Sequence, residues 1–254
     1  MPARDFALRA LQDVTAAFGL LTRIPVPFLA SPRSGAAWAW PVVGAGIAGI
    51  GAGVAGLFTA LGLPPIPAAG LALATTAVLT GALHEDGLAD SADGLFGGHT
   101  KNRRLEIMKD SSIGSFGALA LVLVTLIRCS ALGTIIATGN WGMIVVAGAL
   151  SRAPMAAIMA VLPNARGSGL SQTVGQPSRQ AAALAAAVSL AIAVAVAGVA
   201  GLQMAVVVVA VSLAVAAIAR RKIGGQTGDI LGAAQQLSEM AALCVAAAVI
   251  SIAG

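Results

Sequence analysis

Tyrosine is absent from this chain, and cysteine and histidine occur only twice each in 254 residues. Cys129 and Cys244 lie far apart, each inside a long apolar run. That leaves no disulfide framework and no zinc-binding pattern, so both read as small buried hydrophobes. No cysteine nucleophile, serine–histidine pair or haem site is evident. Charge is scarce as well. Charged residues make up 10% of the chain and hydrophobic ones 58%, with a mean hydropathy of +0.91, whereas soluble domains carry about 25% charged residues. A soluble globular domain is excluded and a polytopic membrane protein is indicated. The net charge of +5 could suggest nucleic acid, but there is no soluble basic domain to hold it, so no nucleic-acid partner is expected. A secretory signal is not expected either, because Asp5 and Asp13 interrupt the first 28 residues.

Long apolar runs are present in their place: about 38–63, 66–84, 116–138, 141–162, 181–201, 203–219 and 238–253. The fold class expected is an all-α polytopic helical bundle of about seven transmembrane helices, forming one integral membrane domain over 1–254. Residues 1–30 are expected to form an interfacial helix and entry segment. Phe6, Leu8, Leu11, Val14, Phe18 and Leu21 form its apolar face, and Pro25 and Pro27 keep the chain extended afterwards. Abundant glycine and alanine suit close helix packing in the lipid bilayer, and association into a homo-oligomer is left open. Every lysine and arginine except Arg128 and Arg152 falls at one end of these spans. The positive-inside bias makes that end cytoplasmic and puts the C-terminus on the far side of the inner membrane. The acidic residues cluster at the same end.

Six of the ten acidic residues fall between Glu85 and Asp110, within an expected polar loop over 85–115. If His84 to Asp93 is helical, Asp86, Asp90 and Asp93 stand at i, i+4 and i+7 and share one face. Like charges so placed tolerate one another best around a divalent cation, and carboxylate oxygens suit Mg²⁺ or Mn²⁺ rather than zinc. Arg103 to Asp110 reads as a further helical piece with Glu106 and Asp110 four apart, and Lys109 beside them is a candidate for phosphate. His84 and His99 flank the island.

Elsewhere, Arg128 and Arg152 sit deep in spans, where an arginine costs on the order of 3 kcal/mol and therefore faces a partner or cavity. They read as anion-binding groups or as partners of the acidic cluster. Arg23 follows the interfacial helix. The segment 163–180 has phosphate-compatible residues without a P-loop pattern. The expected loop at 220–237 combines Arg220, Arg221 and Lys222 with Gly224, Gly225, Thr227, Gly228 and Asp229. Its glycines and bases suit a phosphate or nucleotide, and Asp229 is a further candidate ligand for the metal. Clustered carboxylates with flanking cations point to phosphoryl-type transfer at the membrane face.

The run from His84 through Gly94, followed by Arg104 to Gly117, resembles the cobalamin synthase family, the adenosylcobinamide-GDP ribazoletransferases. The likeness extends to Leu21–Pro25, Ser151–Arg152, Pro163–Gly169 and Gly224–Ala233. Glu85 stands where the family has a more apolar residue. The resemblance implies a Mg²⁺-dependent membrane transferase acting on adenosylcobinamide-GDP and α-ribazole or its 5′-phosphate, releasing GMP. Asp86, Asp90 and Asp93 would hold the metal and one of them take the attacking proton. Glu106, Asp110 and Asp229 would be further ligands, with Lys109, Arg152 and Arg23 steadying the pyrophosphate. A CDP-alcohol phosphotransferase is an alternative, although Ala89 is followed by Asp90 where that class has arginine. A transporter is a weaker one, since no inverted repeat is visible.

Overall fold

The computed structural model describes residues 3–26 and 33–253, and among these no strand occurs. The elements are α1 (Ala3–Leu21), α2 (Trp40–Ala60, entered through a 3-10 turn, Ser34–Ala39), α3 (Pro65–Thr80), α4 (Leu83–Gly97), α5 (Lys101–Ile107), α6 (Ser115–Ala137), α7 (Trp141–Leu150), α8 (Ala153–Val161), α9 (Leu170–Val174), α10 (Arg179–Ile223) and α11 (Gly228–Ala253). The expected Pro27 and Phe28 entry lies outside the described residues.

Five stretches are long and apolar enough to cross a membrane, and the bent pair α3–α4 makes a sixth. One of the five, α10, is two crossings. At Gly198 (φ 55°, ψ −126°) the backbone leaves the helical region, which glycine tolerates. Gly201 then lies against the backbone oxygen of Ala193. In a straight helix those residues would be roughly 12 Å apart, so 179–197 and 199–223 run antiparallel as a helical hairpin. Seven crossings result, with α7 and α8 forming one span broken at Ser151–Arg152, where Pro154 interrupts the ladder.

Helix α1 docks by its second half: Ala16, Ala17 and Leu21 are buried, while Leu8 and Leu11 point outward. Two apolar layers stack along the bundle. One packs Trp40, Val43, Met159, Ile223 and Ile230 at the charged end; the other packs Ala69, Ile135, Ala147, Met204 and Leu243 toward the uncharged end.

Two expected loops turn out to be largely helical. The acidic island forms α4, which runs on through Gly94 to Gly97. Helix α5 stops at Ile107, with Met108 as its C-cap, so Glu106 and Asp110 do not share a helical face. At 220–237 only residues 224–227 are non-helical. Arg220, Arg221 and Lys222 fill the last turn of α10, where cations complement the helix dipole. Gly224 (φ 78°) ends that helix, and α11 starts at once.

Candidate active site

Helix α4 is presented by a sharp break. Gly81 (φ 65°) and Ala82 (φ 56°) both take the left-handed conformation and turn α4 by 91° from α3. A left-handed alanine costs on the order of 1 kcal/mol, and the strain sits beside His84, Glu85 and Asp86. Arg23 is strapped to the same break. Its N–H donates to the Leu79 carbonyl at 2.7 Å, and its side chain lies over Gly81, where a Cβ would stand 2.5 Å from the Arg23 Nε. From the break, α4 crosses α6 and α11. It meets α11 at two glycines: a Cβ on Gly87 would come within 2.9 Å of the Asp229 carbonyl oxygen, and Gly232 faces it. This close crossing sets Asp86 and Asp90 against Asp229.

A cavity opens there. Its mouth is formed by Asp86, Asp229, Arg166, Ser168 and Gly169 and its floor by Leu21, Trp40, Met155, Met159 and Val174. Arg166 donates from Nη2 to Asp229 Oδ2 at 2.6 Å, while its buried Nε has no partner among the described residues. Asp90 lies one turn on, within electrostatic reach of Asp86, Asp229 and Arg166. A second cleft, containing Arg23, Thr22 and Thr80, meets the first at Asp86.

The loop carrying Arg166 is held by the one carrying Asp229. Gln226 N–H donates to the Pro163 carbonyl at 2.9 Å, and Ala165 N–H to the Gln226 carbonyl at 2.8 Å. Gly225 is pressed against Pro163. Thr227 is 1% exposed, and its hydroxyl accepts from Ile230 N–H at 3.3 Å and donates to Asp229 at 3.2 Å. Gly225 and Thr227, expected to bind nucleotide, are thus engaged in building the loop.

Four other expected site residues stand apart from this mouth. Asp93 is buried, and both its oxygens accept backbone N–H groups at the start of α6, from Gly114 at 2.7 Å and Gly117 at 2.9 Å. It satisfies donors that a helix terminus leaves unpaired. Glu106 is exposed and pairs with Arg103 at 3.2 Å. Asp110 is exposed and accepts the Ser112 N–H at 3.1 Å, which holds its carboxyl below the usual carboxylate range. Lys109 is exposed on the turn after α5 and lines neither cleft.

Arg152 also lies elsewhere, in a buried cluster that sequence reading missed. Arg128 and Arg152 each donate to Glu239 at 2.5 Å. Gln235 bonds the same carboxylate, and Gln236 links Arg128 to Glu85, accepting from the first and donating to the second at 2.9 Å. Arg128 approaches Glu85 at 3.8 Å. The acidic residues do not all sit near the charged end, because Glu239 is roughly 16 Å along α11. The signal was available: Glu239 is the only acid in α11 beyond its first turn, and Gln235 lies one turn before it on the same face. Arg166 was likewise passed over, since a lone loop arginine has no sequence signature.

Among the described residues, no three carboxylate, histidine or cysteine side chains converge closely enough to hold a metal ion as they stand. The donor chemistry at the mouth still suits a hard cation: Asp86, Asp90 and Asp229 face a single balancing guanidinium, Arg166. Asp93, Glu106 and Asp110 do not contribute to this group.

Comparison with known proteins identifies the family. A family model described as cobalamin-5-phosphate synthase matches residues 13–247. An adenosylcobinamide-GDP ribazoletransferase of Bradyrhizobium diazoefficiens is 41% identical over 256 residues, covering 98% of both chains. Proteins of the same name from Brucella ovis and Brucella canis are each 44% identical over 248 residues, covering 91% of this chain and 94% of theirs. No solved structure matches. On the family match over most of its length, this chain belongs to the cobalamin-5-phosphate synthase family.

Proposed function

We propose that this protein is an adenosylcobinamide-GDP ribazoletransferase, embedded in the inner membrane with the charged end of the bundle in the cytoplasm. A free ribose hydroxyl of α-ribazole, or of its 5′-phosphate, attacks the cobinamide-linked phosphorus of adenosylcobinamide-GDP. A new P–O bond forms, the bridging P–O bond breaks, and GMP leaves with the electron pair. The product is adenosylcobalamin or its 5′-phosphate. The observation that carries this reading is the convergence of Asp86, Asp229 and Arg166 on one cavity mouth, in a chain of this family. Orientation rests on the positive-inside bias, since all lysines and arginines except Arg128 and Arg152 lie at the charged end.

Asp86, Asp90 and Asp229 are the residues that would hold Mg²⁺. Bound there, the ion would neutralise charge on the phosphoryl oxygens. Asp86 stands where both clefts meet, which places a carboxylate at the point where an attacking hydroxyl would lose its proton. Arg166 keeps Asp229 in place and supplies positive charge at the mouth, and Arg23 supplies it across the adjoining cleft. The apolar floor excludes water, which would otherwise compete with the acceptor.

The test is turnover of purified protein in liposomes, following GMP release and corrinoid product. Wild type should form product with Mg²⁺ and none with EDTA. Asp86→Asn and Asp90→Asn should lose at least about 100-fold while still inserting. Full activity in either variant would remove that residue from the site. Absence of product from folded wild type would overturn the reaction itself.

A further inference from the structure

Two spaces meet at Asp86, and they differ in size and lining. One is a largely apolar cavity of about 120 Å³ whose inner wall is Trp40, Met155, Met159 and Val174. The other is a more polar cleft of about 530 Å³ bordered by Arg23, Thr22 and Thr80. Leu20, Leu83, Asp86 and Leu170 line both and form the partition.

We propose that the partition separates the two substrates of the transferase reaction proposed above. The apolar cavity takes the flat apolar base of α-ribazole, and the Arg23 cleft takes the diphosphate of the nucleotide-linked donor.

Charge favours this assignment. Arg166, the one cation of the apolar cavity, is already claimed by Asp229 and faces Asp86 as well. A diphosphate placed there would meet two carboxylates and a neutralised guanidinium. Arg23 forms no ion pair among the described residues, so its charge is available to phosphate oxygens. Shape agrees. The donor is bulky and its corrinoid must remain outside, which the roomier cleft permits. A flat aromatic base suits the smaller, apolar-lined space, whose open mouth leaves room for the ribose. Methionine walls adapt to such a ring and make favourable sulfur–aromatic contacts. Three buried polar atoms of the cavity's lining residues have no partner among the described residues, Trp40 Nε1, Arg166 Nε and His84 Nε2, and of these only the imidazole nitrogen can either donate or accept. A ring nitrogen of the base is a fitting partner for it. With the base inside and the diphosphate in the cleft, the attacking ribose hydroxyl and the reacting phosphorus meet at Asp86.

The test is steady-state kinetics in liposomes with each substrate varied in turn. Arg23→Ala should raise the KM for adenosylcobinamide-GDP about tenfold and leave that for α-ribazole within twofold. Met159→Ala should enlarge the cavity. The ratio of kcat/KM for a riboside of a larger tricyclic base to that for α-ribazole should rise about tenfold, with the donor KM unchanged. For wild type alone, free 5,6-dimethylbenzimidazole should compete with α-ribazole and not with the donor, which keeps the proposal testable if Met159→Ala does not fold. Competition with the donor, or variants that shift the opposite KM, would overturn the assignment while leaving the reaction standing. Wild type that turns over neither substrate would instead defeat the reaction reading on which the assignment rests.

Discussion

Glu239 is the residue on which the interior charge balance turns. It accepts from both Arg128 and Arg152 at 2.5 Å, and all three side chains are buried. Glu85 completes a neutral set through Gln236 and its own 3.8 Å approach to Arg128. Glu85 thus has an inward partner in Arg128. Removing one partner of a buried pair leaves an uncompensated charge, at a cost of about 3–5 kcal/mol. Glu239→Gln should therefore lower thermal stability in detergent sharply, whereas replacing Arg103, exposed and paired with exposed Glu106, should change it by less than about 1 kcal/mol. Equal melting temperatures for the two variants would contradict the structural role of the cluster. Asp93 makes a related point. Its place in the i, i+4, i+7 series was legible in sequence, but its use as a cap for α6 depends on Gly114 and Gly117 arriving from beyond the next helix.

At the scale of elements, the break between α3 and α4 decides where the acidic face points. Nothing in an apolar run followed by charges specifies a 91° turn. Two consecutive left-handed residues produce it, one of them an alanine. A β-branched side chain is a pronounced outlier at positive φ, so Ala82→Val should straighten or unfold the junction and swing Asp86 away from Asp229. Turnover should fall at least about tenfold, while Ala82→Gly, free of the Cβ penalty, should keep near wild-type activity. Comparable activity in both variants would mean the break does not position the site. The glycine-to-glycine crossing of α4 and α11 at Gly87 and Gly232 has the same status. Small residues signal that close contact is permitted, and only the fold says with which helix. The α10 hairpin shows the converse, since two spans were legible from run length alone although only Gly198 leaves the helical region between them.

The whole molecule is a seven-crossing bundle with charge at one end. If the positive-inside bias sets orientation, cysteines introduced at opposite ends should be modified from opposite sides. In a background carrying Cys129→Ala and Cys244→Ala, His99→Cys should react with an impermeant maleimide only in inside-out vesicles, and Gly62→Cys only in intact spheroplasts. The reverse pattern would put the active site outside the cytoplasm. The sequence by itself determined the fold class, the number of crossings, the end that carries most of the charge, and Asp86, Asp90 and Asp229 as candidates. Those properties follow from local composition and helical period, which hydropathy and spacing report directly. Tertiary structure alone decided that Arg166 pairs with Asp229, that Arg152 serves Glu239, that Asp93 caps a helix, and that Gly225 and Thr227 build a loop. Each of those outcomes depends on contacts between segments far apart in the chain, set by close helix crossings and by the need to neutralise or hydrogen-bond every buried polar group.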